Sequence, residues 1–230
     1  MQNRSDSNAE KHLPYFETLE ALKGPGCALC FIVCDRVRKY LDHLIYEGIT
    51  DPDFREQFNR DRGFCLQHTR QFMESGDGLA VGLTHRDVLA SLVRELQSEH
   101  SSPPVDRRTK PCGICRVMEE TEARHIKVLT KYLEEPEAKA ALMKSTGFCW
   151  PHYEKLSRTW KPIPGWFRQF QIRRYEELLA KLDLYIDSQN IKPDQPRRVL
   201  NQDQKLVWKQ TVHALFGDAL FLGIDRAGPA

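Results

Sequence analysis

Eight residues carry the most specific chemistry in this chain, and they fall into four short pairs: Cys27 with Cys30, Cys65 with His68, Cys112 with Cys115, and Cys149 with His152. The donors of each pair stand three residues apart, and residues i and i+3 share one face of a helix. Pro25-Gly26, Gly63, Pro111 and Gly147 lie just upstream, where the chain must turn into a helix. Exposed N–H groups and the positive end of the helix dipole favour thiolate at such a start. Two pairs brought together supply three thiolates and one imidazole, the donor set of a closed, tetrahedral zinc site with no position left for substrate. The same donors also suit an iron–sulfur cluster, which accepts histidine in place of some cysteines.

The pairs form two copies of one pattern. Cys27-Ala-Leu-Cys30 is followed by Gly63-Phe64-Cys65-Leu66-Gln67-His68, and Cys112-Gly-Ile-Cys115 by Gly147-Phe148-Cys149-Trp150-Pro151-His152. The gaps between the halves are 34 and 33 residues. Pro52 matches Pro136, and Leu89, Leu92, Val93 and Leu96 match Tyr175, Leu178, Leu179 and Leu182 at an offset of 86. A repeat of about 85 residues indicates a duplicated subdomain, not a short-unit solenoid. Because each repeat carries a full donor set, two sites are expected, each holding one Zn2+. Cys27, Cys30, Cys65 and His68 would form the first, and Cys112, Cys115, Cys149 and His152 the second. The alternative occupants are two iron–sulfur clusters. A crossed pairing, in which each Cys-x-x-Cys meets the histidine-bearing half of the other repeat, stays open and would intertwine the repeats.

The paired Cys-x-x-Cys and Gly-Phe-Cys-x-x-His blocks resemble a family of uncharacterised prokaryotic proteins that carry both motifs twice. The resemblance covers about residues 20 to 190, and the eight donors match those motifs as they stand. It implies a helical, metal-binding protein and no particular activity.

The elements that must position the donors read as helices throughout. Val33, Val37, Tyr40, Leu41, Leu44 and Ile45 follow helical spacing up to Gly48, and Pro52 looks like the first residue of a short helix through Phe58. A further helix should begin near Gly63-Phe64-Cys65, and Thr84 or Asp87 should open the one carrying Leu89 to Leu96. The second repeat predicts helices over 117–133, 136–143, 149–156 and 167–186, and a tail helix carries Trp208, Val212, Leu215, Phe216, Ala219 and Leu220. No alternating strand pattern appears. The expected architecture is all-α: a tandem duplication of a four-helix, metal-stapled subdomain plus a C-terminal helix. Its divisions are an N-terminal segment over 1–22, repeat one over 23–100, a linker over 101–111, repeat two over 112–190, and a linker with the tail helix over 191–230.

Composition narrows the function classes. Lys and Arg number 34 against 32 Asp and Glu, a net charge of +2, so no overall field marks a polyanion binder. The polar stretch 1–12 does not read as a secretory signal, and apolar runs are far shorter than the ~20 residues of a membrane span. A cytoplasmic location is expected, where thiols stay reduced. Covalent c-type haem needs a histidine after Cys-x-x-Cys, but Phe31 and Arg116 stand there. No phosphate-binding glycine loop, HExxH or GxSxG occurs, and no residue is assigned a catalytic role. The expected partner is a protein. One basic and aromatic segment, with Arg158, Trp160, Lys161, Trp166, Arg168, Arg173 and Arg174, would suit single-stranded nucleic acid, or else a loop entering an amphipathic helix with its rings in the core. Arg60, Arg62, Arg107, Arg108 and Lys110 stand near the donors, where they would offset a negative metal site or remain solvated. Cys34 has no counterpart in the second repeat and reads as a small core residue, and His43, His85, His100, His125 and His213 as surface or core histidines.

Overall fold

Helix-starting signals punctuate the chain. In the computed structural model, which describes residues 11–98, 111–189 and 200–217, these residues form ten α-helices, one 3-10 turn (Gly48–Thr50) and no strand. The helices are α1 (Leu13–Lys23), α2 (Ala28–Tyr46), α3 (Pro52–Arg60), α4 (Leu66–Glu74), α5 (Gly78–Gln97), α6 (Gly113–Tyr132), α7 (Pro136–Lys144), α8 (Trp150–Thr159), α9 (Gly165–Gln189) and α10 (Gln202–Phe216). The all-α expectation holds.

Local chemistry explains the boundaries. Proline occupies the first turn of α1, α3, α7 and α8, where its missing N–H costs no helical bond. The Asp51 carboxylate accepts from the Asp53 N–H at 3.0 Å and caps α3. Asn201 and Gln204 close a reciprocal capping box on α10 at 2.8 and 3.0 Å. In the N-terminal segment α1 buries Tyr15, Leu19 and Leu22 and packs on α7. One expectation needs correction. Neither Thr84 nor Asp87 opens α5: Asp77 caps it through the Ala80 N–H at 2.8 Å. Thr84 is instead buried within α5, donating to Ala80 O at 2.9 Å. The tail helix starts at Gln202, while Ala219, Leu220, residues 101–110 of the first expected linker and residues 191–199 before the tail helix lie outside the described residues.

Two compact units emerge, and their boundaries do not follow the sequence repeats. One comprises residues 11–32 with 122–189 and 200–217, the other residues 33–98 with 111–121. The boundaries fall inside α2 and α6, so each of these helices belongs to both units. In the first unit Tyr15, Leu19 and Leu22 of α1 pack with Leu29 and Ile32 of α2, Ile126 and Leu129 of α6, Leu142 of α7, Leu156 of α8, and Phe167 and Phe170 of α9. In the second, Val37, Leu41 and Leu44 of α2 pack with Phe58, Phe72 and Ala80, and with Ile114 at the start of α6. There Arg55 pairs with Asp87 and Asn59 with Ser91 at 2.9 Å, joining α3 to α5.

A buried histidine of the first unit makes stability depend on pH. The Thr18 hydroxyl donates to Pro14 O at 2.7 Å, so the His125 Nδ1–H must donate to Thr18 Oγ1, 2.9 Å away. Burial pushes His125 below its ordinary value of 6.5; nearby Glu17 opposes that shift and Arg124 adds to it. The unfolded chain therefore takes up this proton first as pH falls. The His125 contribution is intact above about 6.5 and is lost as pH drops below it towards the folded value. Urea midpoints measured from pH 7.5 to 5.5 should fall less steeply for His125→Gln than for the native chain. Parallel profiles would show that His125 does not set this dependence.

Candidate metal centres

Each Cys-x-x-Cys or Cys-x-x-His pair sits at a helix start in the same way. The carbonyls of Cys27, Cys65, Cys112 and Cys149 accept the first helical bonds, from Phe31, Thr69, Arg116 and Tyr153, at 3.0, 2.8, 3.0 and 2.9 Å. The side chains of Cys65 and Cys149 cap no N–H of their own helices, which leaves the sulfurs aimed elsewhere. The preceding Gly63 and Gly147 adopt φ of +86° and +85°, the left-handed region that turns the chain sharply into α4 and α8. At Gly147 a Cβ would also come within 3.1 Å of the Gln171 side chain.

The tertiary structure brings the pairs together crosswise. Cys27 and Cys30 meet Cys149 and His152 in the first unit, and Cys65 and His68 meet Cys112 and Cys115 in the second. Within each group all four donor atoms lie within 4.8 Å of one another, and these are the groups of this kind among the described residues. The expected grouping within repeats is corrected accordingly: all eight residues converge, but each set draws one half from each repeat.

The distances match a single small ion. In the first centre His152 Nδ1 lies 3.3, 3.3 and 3.1 Å from the sulfurs of Cys27, Cys30 and Cys149, and Cys30 and Cys149 are 3.6 Å apart. In the second His68 Nδ1 lies 3.2, 3.3 and 3.4 Å from Cys65, Cys112 and Cys115, with 3.6 Å between Cys112 and Cys115. Tetrahedral zinc with ordinary bond lengths would separate sulfur from nitrogen by about 3.5 Å and sulfur from sulfur by about 3.8 Å. Cys30, Cys149 and His152 are buried and Cys27 half-buried; His68 and Cys112 are buried, Cys65 and Cys115 half-buried.

Donors this close perturb one another. Burial opposes ionisation of Cys27, yet hydrogen bonds with Cys149, Cys30 and His152 hold its thiol well below the usual range. Hydrogen bonds with Cys149 and Cys27, followed by burial, push Cys30 up. His152 is raised to about 12 against its burial, by hydrogen bonds with Cys149, Cys27 and Glu122. In the second centre Cys112 is lowered to about 6 despite burial, by His68 and the backbone of Cys65 and Cys115, while burial and Cys112 raise Cys115 to about 12. Each group thus pairs an acidic thiol with one that resists ionisation, a conflict that one shared cation would remove.

Residues without a sequence motif support the donors. The outer nitrogen of His152 lies 2.9 Å from Glu122 Oε1, and Lys155 pairs with the same carboxylate at 2.5 Å. Burial opposes the charge on Glu122, but His152 and Lys155 hold its pKa below the usual range. The outer nitrogen of His68 instead lies 3.1 Å from the Met118 sulfur. Glu122 and Met118 sit seven and three residues beyond Cys115 on α6, so helical spacing was the one signal that pointed to them. Of the nearby cations, Arg60 pairs with Glu56 and Arg62 with Glu95, while Arg107, Arg108 and Lys110 lie outside the described residues.

A model of a family of unknown function, DUF6062, matches residues 11–163, a span that includes all eight donors. The chain belongs to this family. It is also similar to the "Uncharacterized 23.9 kDa protein in xynA 3'region" of Caldicellulosiruptor sp. (strain Rt8B.4), 26% identical over 176 residues that cover 74% of this chain and 79% of that protein. No solved structure matches significantly. The expectation of an uncharacterised family stands, while the duplicated motifs are read in this chain alone.

The other sequence candidates fall elsewhere. In the basic and aromatic segment Phe167 and Phe170 are fully buried, and the rings of Trp160 and Trp166 lie 5.4 and 5.9 Å from that of Phe167. Arg158, Lys161, Arg168 and Arg173 are exposed, and Arg174 donates to Met143 O at 2.7 Å. Cys34 is half-buried and outside both groups. His85 packs against Phe58 and Phe72, His43 pairs with Glu47 at 3.4 Å, and His100 lies outside the described residues. Among the described residues no helix is long and apolar enough to cross a membrane.

Proposed function

We propose that this protein is a helical binding or scaffolding module stapled by two structural zinc ions, one in each compact unit. The carrying observation is the convergence of three sulfurs and one imidazole nitrogen within 4.8 Å in both groups. A polynuclear iron–sulfur cluster ligates its thiolates through different irons and needs its donors spread more widely, which favours a single ion here. Four protein donors leave no open coordination position, so the ion's work is mechanical. In the first unit it ties residues 119 positions apart, Cys30 and Cys149, and in the second His68 and Cys112, 44 apart. Cross-links over such separations remove much of the unfolded chain's freedom. The partner we favour is a protein, met in the cytoplasm, where a reducing environment keeps the ligands as thiolates.

Protein purified anaerobically without added metal should be colourless and carry about two zinc per chain, as read by elemental analysis. A brown protein with stoichiometric iron and sulfide would overturn this reading in favour of electron transfer.

A further inference from the structure

Taking the zinc reading as its basis, we infer that the two centres are unequal: Cys65, His68, Cys112 and Cys115 form an exchangeable centre that yields its zinc to competing thiolate or chelating acceptors, while the centre of Cys27, Cys30, Cys149 and His152 retains its own.

Three differences carry the inference. The first is the group behind the histidine. A carboxylate on the outer nitrogen fixes the ring and makes the ligating nitrogen a stronger donor, and losing such a partner commonly lowers metal affinity 10–100-fold, taking that as an approximate range. His152 has this partner in Glu122, itself held by Lys155, whereas His68 faces the Met118 thioether, a weak acceptor.

The second is the loop that presents the third cysteine. Gln171, buried in α9, grips both sides of Phe148 beside Cys149: its Oε1 accepts from the Phe148 N–H at 3.0 Å and its Nε2 donates to Phe148 O at 2.8 Å. The Tyr175 hydroxyl donates to the same oxygen at 3.1 Å. At the repeat offset of 86 the counterpart of Gln171 is His85, whose Nδ1 lies 2.8 Å from Val81 O in its own helix. Phe64 O, beside Cys65, accepts from Thr69 Oγ1 at 3.3 Å.

The third is cover. Gly217, at the end of α10 with φ of +87°, sits so close to the first centre that a Cβ there would lie 3.6 Å from the Cys30 sulfur and 3.7 Å from that of Cys149. The backbone thus closes over two of the three sulfurs, in a position that favours glycine. In the second centre both Cys65 and Cys115 are half-buried, which leaves two thiolates open to an incoming ligand. Metal exchange proceeds through such associative attack, so access governs its rate as much as affinity does.

The test uses the full chain, with zinc content measured first. The protein is challenged with excess 4-(2-pyridylazo)resorcinol, zinc transfer is followed by absorbance, and samples are alkylated at intervals and mapped by mass spectrometry. The expected result is two phases of one zinc each, the first at least about tenfold faster, with Cys65, Cys112 and Cys115 alkylated during it. Glu122→Gln should speed the slow phase and leave the fast one unchanged, as expected of a positioning residue, and Met118→Glu should slow the fast phase. A single phase releasing both ions, or early alkylation of Cys27, Cys30 and Cys149, would overturn the inference while leaving the zinc reading intact. Iron and sulfide at the outset would instead overturn the zinc reading itself. If either variant fails to fold, the order of alkylation in the native chain decides.

Discussion

Cys149→Ser should lose one zinc and, with it, the folded state of the unit built from α1, α7, α8, α9 and α10, while the ion held by Cys65, His68, Cys112 and Cys115 stays bound. Serine places a poor, protonated donor where a thiolate is needed, and a structural site with three ligands binds far more weakly. Apparent zinc-binding energies of roughly 10–16 kcal/mol in small zinc domains set the scale. Native domains are stable by only about 5–15 kcal/mol, so losing even part of that contribution is enough to unfold the unit. The crosswise grouping gives the prediction a specific signature. In Cys149→Ser the newly reactive thiols should be Cys27 and Cys30, and Cys30→Ser should share the phenotype, because both residues belong to one donor set. Alkylation mapped by mass spectrometry checks this. If Cys112 and Cys115 became reactive instead, the donors would pair within repeats and the crosswise grouping would be wrong.

Phe167→Ala should be the most damaging substitution away from the metal centres. The ring is fully buried among Phe148, Tyr153, Trp160 and Trp166, with centroids 6.0, 5.7, 5.4 and 5.9 Å away, and it stacks on Tyr153. Removing a buried phenylalanine ring costs about 3–5 kcal/mol, the sum of lost burial and the cavity left behind. A loss of unfolding free energy of that size, seen as a lowered midpoint at unchanged slope in a urea titration, is the expected result. An unchanged midpoint would mean that the ring is not in the core. Exposed Arg168, the next residue, should tolerate Glu within about 0.5 kcal/mol. The contrast bears on how this segment reads. Its rings and its cations are interleaved along the chain, as in a single-strand binder, but in the part that helix α9 carries they turn different ways. Phe167 and Phe170 are three apart and face inward, while Arg168 and Arg173 face solvent. Oligonucleotide binding that disappears in Arg168→Glu/Arg173→Glu would support a nucleic-acid role for these exposed cations.

Much of the architecture was legible because the signals are local. Proline in a first turn, helical spacing of apolar residues and a glycine before each histidine-bearing half act over a few residues, and α3, α7 and α8 begin where these signals place them. The misreadings came where local signals were ambiguous or absent. Thr84 looked like a cap because threonine can cap, but a buried threonine can equally donate back to a carbonyl in the preceding turn, as it does to Ala80 O. Helix α1 went unread because its short apolar pattern gains meaning only against α7. Glu122, Gln171 and Gly217 carry no motif at all; each matters through long-range contacts with a donor or its loop.

The donor types and their presentation at helix starts were determined by the sequence alone, because three-residue spacing on a helix leaves the side chains little choice. The partners were not. The two copies have the same ligands at nearly the same spacing, so ligand chemistry is the same for either pairing and cannot choose between them. The choice fell to the apolar cores. Leu29 and Ile32, in the first turns of α2, are buried with Phe148, Leu156 and Phe167, which sets Cys27 and Cys30 beside Cys149 and His152. Ile114, at the start of α6, is buried with Phe64 and Phe72, which sets Cys112 and Cys115 beside Cys65 and His68. Burial of these side chains is non-directional and proportional to area. Only the assembled packing, which no local window of the sequence contains, could decide which pairs meet.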